Sequence, residues 1–235
     1  MRVLLTRPLA ESASTAAKLL AMGHTPVSAP VITIEYQDFT LPKESFDAVV
    51  VTSPHALHAL DENKISRLKS LPFFVVGERA AQAVKLMGLE GEVISEPDAV
   101  HLIAAIKADT TKNHLLYLAG RHRSLDLEEA FAGDIFVVET YHASEVENLP
   151  ALAVQLMLDG KIDALLHFSK RSAELFLARA NACNLANALL HIKHIAISNR
   201  TAESLKGLPV VIADTPDEDG ILAALAALAP HAGSK

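Results

Sequence analysis

Hydrophobic positions along this chain fall into short apolar runs and longer stripes at helical spacing, and the two alternate almost from end to end. The pattern predicts a strand over residues 3–5, a helix over 11–22 stopped by Gly23, and a strand over 25–27. It continues with strands over 48–51, 73–76 and 93–94, followed respectively by helices over 54–60, 79–87 (with Gly88 after it) and 100–108. The same rhythm resumes at Leu115 and runs to about Leu228. Strands that are apolar almost throughout, each followed by a helix, imply parallel sheets covered on both faces, an α/β architecture. Residues 31–36 and 137–143 break the rhythm, because both are β-prone and neither leads directly into a helix. They read as paired linkers joining two lobes. The tail, residues 231–235, is expected to fray.

The rhythm is also a repeat. Asp47-Ala48-Val49-Val50-Val51-Thr52-Ser53 is echoed by Asp163-Ala164-Leu165-Leu166-His167-Phe168-Ser169, and Val76-Gly77-Glu78-Arg79 by Ile197-Ser198-Asn199-Arg200. Pro97-Asp98 returns as Pro216-Asp217, and Val3-Leu4-Leu5-Thr6-Arg7 as Tyr117-Leu118-Ala119-Gly120-Arg121. Landmarks kept in order indicate two copies of one α/β unit, with a site expected where the copies face each other.

Composition narrows the function classes. With 235 residues, half of them hydrophobic, the chain can bury two modest cores. Its formal net charge of -7, without a basic tract, argues against a nucleic-acid partner. Its apolar stretches stop well short of the roughly 18 residues a membrane span needs. The N-terminus lacks a signal-peptide pattern, so a cytoplasmic protein is expected. The one cysteine, Cys183, excludes an internal disulfide and lies in an apolar helical context that suits packing.

In parallel α/β sheets, ligands bind beyond the carboxyl ends of the strands, where helix N-termini present unpaired N–H groups. Thr6, Arg7, Ser53, Gly77, Gly120, Arg121, Ser169, Ser198 and Thr201 all fall at such turns. Ser53, Ser169 and Thr201 can equally be helix caps, and a capping serine can also bind an anion. Dinucleotide, P-loop and G-x-S-x-G signatures are missing. His55 with His58, and His191 with His194, read as i, i+3 pairs on helices, but neither has an acidic or cysteine partner at metal-ligand spacing. Tyr141, in the second linker, can donate a hydrogen bond to a departing oxygen, or it can be an aromatic packed against Ile34 or Tyr36. Position alone leaves both open.

Thr6-Arg7-Pro8, the two aspartate-to-serine turns, Val76-Gly77, Leu118-Ala119-Gly120-Arg121, the Tyr141 linker and Thr215-Pro216-Asp217 together resemble the uroporphyrinogen-III synthase family over nearly the whole chain. The resemblance implies two flavodoxin-like parallel-sheet lobes joined by a two-stranded β-ribbon. Residues 1–34 plus 144–235 would form one lobe, 40–137 the other, and 35–39 with 138–143 the hinge. It further implies a cyclising hydro-lyase of heme biosynthesis, closing hydroxymethylbilane to uroporphyrinogen III with loss of water and inversion of the last pyrrole ring. No cofactor and no metal are expected. Tyr141 would assist departure of the hydroxyl; Ser53, Ser169 and Thr201 would bind the substrate's carboxylates, with Arg7 and Arg121 as counter-charges. A monomer is implied, with hydroxymethylbilane synthase, the preceding enzyme, as a transient partner. The family pattern Gly-x-x-Thr-Ala is incomplete in both copies, with Ala80 in place of threonine and Ser198 in place of glycine. The reading from a different class is a non-catalytic two-lobe protein that binds a small anion.

Overall fold

A computed structural model describes residues 1–121, 123, 127–131 and 134–228, so the expectation for the tail at 231–235 lies outside the described residues. In chain order the elements are β1 (Arg2–Leu5), α1 (Leu9–Ala21), β2 (Thr25–Ser28), β3 (Ile32–Tyr36), β4 (Ala48–Val51), α2 (Glu62–Leu68), β5 (Phe73–Val76), α3 (Gly77–Leu86), β6 (Val93–Glu96) and α4 (Ala99–Ala108). The second half follows with β7 (Leu115–Gly120), α5 (Leu127–Ala130), β8 (Ile135–Glu145), α6 (Ala151–Leu158), β9 (Ala164–His167), α7 (Lys170–Ala182), α8 (Ala186–Leu189), β10 (Lys193–Ala196), α9 (Asn199–Ala202), β11 (Val210–Ile212) and α10 (Glu218–Leu228).

The chain divides into two compact units, Met1–Thr33 with the stretch from Ser144 onward, and Ile34–Ala143. The first holds the sheet β11-β10-β9-β1-β2, whose pairs all run parallel. One face of that sheet buries Val3, Leu5, Leu166 and Ile195 under Leu19 of α1 and Ile221 and Leu225 of α10. Full burial of each such side chain contributes about 1.5–3 kcal/mol, which is what commits a continuous apolar run to the centre of a sheet. On α1 the predicted stop is observed: Gly23 has φ +76, and the amides of Gly23 and His24 close the end by donating to Leu20 and Leu19 carbonyls at 3.0 and 2.9 Å. A β-carbon at that φ is costly, which is why glycine ends the helix.

The sheet order β3-β8-β7-β4-β5-β6 carries the second unit, with β8, β7, β4, β5 and β6 parallel. Val49, Val51, Leu116, Leu118 and Val138 face one core; Ala48, Val50, Leu115, Tyr117, Ile135 and Val137 face the other. Both faces of the sheet are therefore covered, which requires the nearly unbroken hydrophobic strands seen in the sequence.

The repeated aspartates have a shared structural job. Asp47 Oδ2 accepts from the amides of Asn113 and His114 at the entry to β7, and Asp163 Oδ2 accepts from the amide of Arg2 at the entry to β1. In each case the aspartate latches the neighbouring parallel strand. That neighbour belongs to the other sequence copy: β1 and β2 sit in the sheet of β9–β11, while β7 and β8 sit in the sheet of β4–β6.

Two local expectations are corrected. The helix expected over 54–60 is a single 3-10 turn, Pro54–Leu57, after which Asp61 accepts from the amide of Lys64 at 2.8 Å and starts α2, which the sequence reading did not place. The aspartate cap pairs an amide that the first turn of α2 would otherwise leave without a partner. His191 and His194 do not share a helix, since α8 ends at Leu189 and His194 lies on β10. Among the described residues, no helix is long and apolar enough to cross a membrane.

Candidate active site at the carboxyl ends of the strands

In the second unit the strand order reverses between β4 and β7, because β4, β5 and β6 step one way and β7 and β8 the other. Loops leaving neighbouring strands in opposite directions open a crevice at such a point. A cavity of ≈ 310 Å³ lies there. Thr52 and Ser53 line it from the end of β4, Val76 from β5, Pro97 to Ala99 after β6, Tyr117 and Gly120 from β7, and Tyr141 from β8. Arg123 and Leu127 complete the wall. Of the residues named from sequence, Ser53, Gly120 and Tyr141 thus share one cavity.

A bulge aims Tyr141. Along β8, Ile135 and Val137 face one core and Val138 the other, so strict alternation would send Tyr141 to the side of Ile135. Instead the register slips between Ala119 and Gly120: Ala119 pairs with Glu139 and Gly120 with Tyr141, which leaves Thr140 as the extra residue. The buried Thr140 donates its hydroxyl to the Ala119 carbonyl at 3.3 Å. The slip turns Tyr141 to the side of Val138, and the Arg121 amide fixes it by donating to the Tyr141 carbonyl at 2.9 Å.

Gly120 makes room for the phenol. A β-carbon there would lie 2.6 Å from Tyr141 Cζ and 2.8 Å from its hydroxyl oxygen. The His55 ring stands 5.6 Å from the Tyr141 ring, tilted by 52°, and His55 Nδ1 is 3.3 Å from the Tyr36 hydroxyl. Gly120→Ala is therefore expected to displace the phenol while leaving the strand intact. A loss of about 1–3 kcal/mol is the usual scale for overpacking. The check is thermal melting alongside turnover, and unchanged turnover would show that the ring position is immaterial.

The cavity wall is hydroxyl-rich and nearly charge-balanced. Ser53 Oγ accepts from the His55 amide at 3.4 Å and caps the 3-10 turn. Thr52 Oγ1 and Tyr117 Oη lie 2.8 Å apart. Burial holds the Tyr117 phenol above its ordinary pKa, against the opposing pull of the Thr52 bond, so it stays neutral and able to donate. Asp98 caps α4 by accepting from the His101 amide at 2.9 Å; that bond and the one from the His101 ring lower its pKa. Arg123 faces Glu128 at 3.3 Å and Glu139 at 3.5 Å.

The other sequence-named residues are distributed differently. Gly77 opens α3 with φ +77, a conformation that requires glycine, and Arg121 is half exposed and paired to Glu139 at 3.3 Å; neither lines the cavity. In the first unit the strand order reverses between β1 and β9. Thr6 and Arg7 follow β1, and Ser169 follows β9. Ser169 Oγ accepts from the Ser172 amide at 3.1 Å, and Ser198 Oγ from the Thr201 amide at 3.3 Å, so both are helix caps. Thr201 is buried with its hydroxyl 3.2 Å from Ser198 Oγ. Thr6 is fully buried and its Oγ1 has no hydrogen-bond partner among the described residues. Arg7 bonds Glu218 and Thr15, each at 3.1 Å, and lies over the Phe168 ring at 4.2 Å. Sequence reading does not assign Tyr117, Asp98 or Arg123 to a site; Thr52 belongs to the same strand-end turn as Ser53, and Asp98 and Tyr117 enter only as landmarks of the repeat.

Two parallel-sheet α/β units, each with polar residues gathered where its strand order reverses, place the chain in the class of α/β folds whose ligand sites fall at such points. Comparison with known proteins gives the family: residues 13–223 match the family model described as uroporphyrinogen-III synthase HemD, and the chain belongs to the uroporphyrinogen-III synthase family. A protein of Methanocaldococcus jannaschii called putative uroporphyrinogen-III synthase is 27% identical over 157 residues, covering 63% of this chain and 65% of that one, so the match spans somewhat under two thirds of each. The fold is similar to that of uroporphyrinogen-III synthetase from Helicobacter pylori 26695, with TM-score 0.66, 18% identity, and coverage of 97% of this chain and 100% of that one. It is also similar to a mutant uroporphyrinogen III synthase from the extremely thermophilic bacterium Thermus thermophilus, with TM-score 0.55, 18% identity, and coverage of 97% and 98%.

Proposed function

We propose that this protein is a cyclising hydro-lyase that converts hydroxymethylbilane to uroporphyrinogen III in the cytoplasm, without a cofactor. The family match over most of the chain supports the reading, and the observation that carries it is the phenol of Tyr141, held by a bulge over Gly120 in a hydroxyl-lined cavity. In the reaction the C–O bond of the terminal hydroxymethyl group breaks. The hydroxyl leaves with one proton as water, and the azafulvene-type cation left behind is attacked by the substituted α-carbon of the last ring, giving a spiro intermediate; the bond from that carbon to its original methylene bridge then breaks, the bridge re-forms at the ring's free α-carbon, and that carbon loses its proton, which balances the one carried off in the water. The cation is stabilised by its own pyrrole, so the demand on the protein is to assist departure and to hold the pose from which the inverted ring closes. Tyr141 donates to the departing oxygen. Ser53, Gly77, Gly120, Arg121, Thr6, Arg7, Ser169, Ser198 and Thr201 serve the substrate's acetate and propionate groups through hydroxyls, backbone amides and charge.

On this reading the two units are flavodoxin-like lobes, with residues 35–39 and 138–143, which overlap β3 and β8, as the two-stranded hinge ribbon. Support comes from the chain's two passages between units, at 33/34 and 143/144, which fall inside those two strands. The protein acts as a monomer that takes substrate in transient contact with hydroxymethylbilane synthase. The deciding experiment mixes purified protein with freshly generated hydroxymethylbilane, oxidises the product and separates uroporphyrin I from III. Uncatalysed closure proceeds without inversion and gives isomer I, so predominance of isomer III is the expected result. Isomer I at the spontaneous rate would leave the anion-binding alternative.

A further inference from the structure

Tyr117 and Thr52 come from adjacent strands, β7 and β4, on the two sides of the strand-order reversal. Their hydroxyl oxygens are 2.8 Å apart, and both residues line the cavity that holds Tyr141 and Ser53. Tyr117 belongs to the core opposite the one Tyr141 packs against, so the two phenols reach the cavity from opposite faces of the sheet. A hydroxyl pair has two protons, and their mutual bond uses one of them. Whichever oxygen donates, the second proton remains available at the cavity wall. A buried core tyrosine that needed only satisfaction would be served by a single acceptor carbonyl; here its partner is itself a donor. Arg123 supplies positive charge on the same wall, shared with Glu128 and Glu139. Asp98 supplies negative charge at the end of α4, where the His101 ring and the helix N-terminus compensate it.

We propose that Tyr117 and Thr52 form a carboxylate subsite, donating one hydrogen bond to an acidic side chain of the substrate beside Tyr141. The inference rests on the synthase reading and assigns these two residues to binding rather than to departure of the hydroxyl. The bond is made equally to substrate and transition state, so its loss raises KM more than it lowers kcat. Tyr117→Phe is expected to raise KM about 10-fold, the scale for a hydrogen bond to a charged group, with kcat within about 3-fold of wild type. Thr52→Val keeps the phenol but frees it from its anchor; a KM increase of about 3-fold is expected, and this variant carries the test if Tyr117→Phe does not fold.

The chain contains three tyrosines and no tryptophan, so protein labelled with carbon-13 at tyrosine Cζ gives three signals, assignable by single Phe substitutions. Under anaerobic conditions, adding uroporphyrinogen III should move the Tyr117 signal. A Tyr117 that only fills the core would give an unmoved signal and unchanged KM in both variants, and that result overturns the inference while wild-type isomer III production upholds the synthase reading. Wild-type protein yielding only isomer I overturns both.

Discussion

Tyr141→Phe is expected to lower the rate of isomer III formation about 100-fold with little change in melting temperature. Proton donation by a positioned side chain contributes roughly 10²–10⁴-fold to such steps. For the proposed reaction the lower end applies, because the cation is stabilised by its own pyrrole and departure leans less heavily on the proton donor. The substitution keeps the ring, and the ring fills the space over Gly120, packs against the core that includes Val138 and stands beside His55. What disappears is one hydroxyl at a cavity wall, so the fold has little to lose. The effect should fall on kcat, in contrast to the KM effect expected at Tyr117, because a bond to the departing oxygen strengthens as charge develops there. Steady-state kinetics with separation of the two isomers checks this. A kcat equal to wild type would remove the phenol from the chemistry and leave Tyr141 as a packing residue.

The strands and most helices were legible because burial on both sheet faces demands continuous apolar runs, and β4, β5 and β9 carry them. The repeat was legible for the same reason, and Asp47 and Asp163 could be paired by eye although their latching role could not. That role depends on which strand lies alongside, a long-range fact. The aim of Tyr141 was not legible either. It depends on one extra residue in β8, and nothing in Glu139-Thr140-Tyr141 marks a bulge. Tyr117 was hidden by its position inside a hydrophobic strand, where a phenol reads as core. His167 was hidden in a similar way. It occupies the place of Val51 in the other copy, and it was read only as part of an echo.

His167 also gives this protein an expected sensitivity to mild acid. His194 Nε2 lies 3.0 Å from the Leu189 carbonyl, which can only accept, so that nitrogen carries the proton and His194 Nδ1 is bare. His167 Nε2, 3.0 Å from His194 Nδ1, must then donate, leaving His167 Nδ1 as a buried lone pair without a hydrogen-bond partner among the described residues. Protonating His167 would add a charge to a fully buried ring and a donor with nowhere to point. Burial, reinforced by the neighbouring His194, therefore holds the His167 pKa well below its ordinary value, and burial lowers that of His194 against the pull of the Leu189 carbonyl.

Both folded-state values lie below the unfolded value of about 6.5, so between them the unfolded chain binds more protons and stability falls as pH falls. Each histidine that stays neutral in the fold costs about 1.4 kcal/mol per pH unit below 6.5. His24, whose pKa burial also lowers, acts in the same direction; His101, raised by its bond to Asp98, opposes it. Burial alone would raise the pKa of Glu218, but the Thr15 hydroxyl, Lys18 and Arg7 hold it below its ordinary value, so its contribution is lost only at lower pH, outside this window. His167→Gln keeps an N–H to offer His194 and cannot titrate. Urea unfolding at about pH 7.5 and about pH 5.5 should show a loss of stability for wild type that is larger by about 1.4 kcal/mol than the loss for His167→Gln. Equal losses in the two proteins would mean that His167 is protonated in the fold at the lower pH, and the tautomer chain from Leu189 through His194 would have to be redrawn.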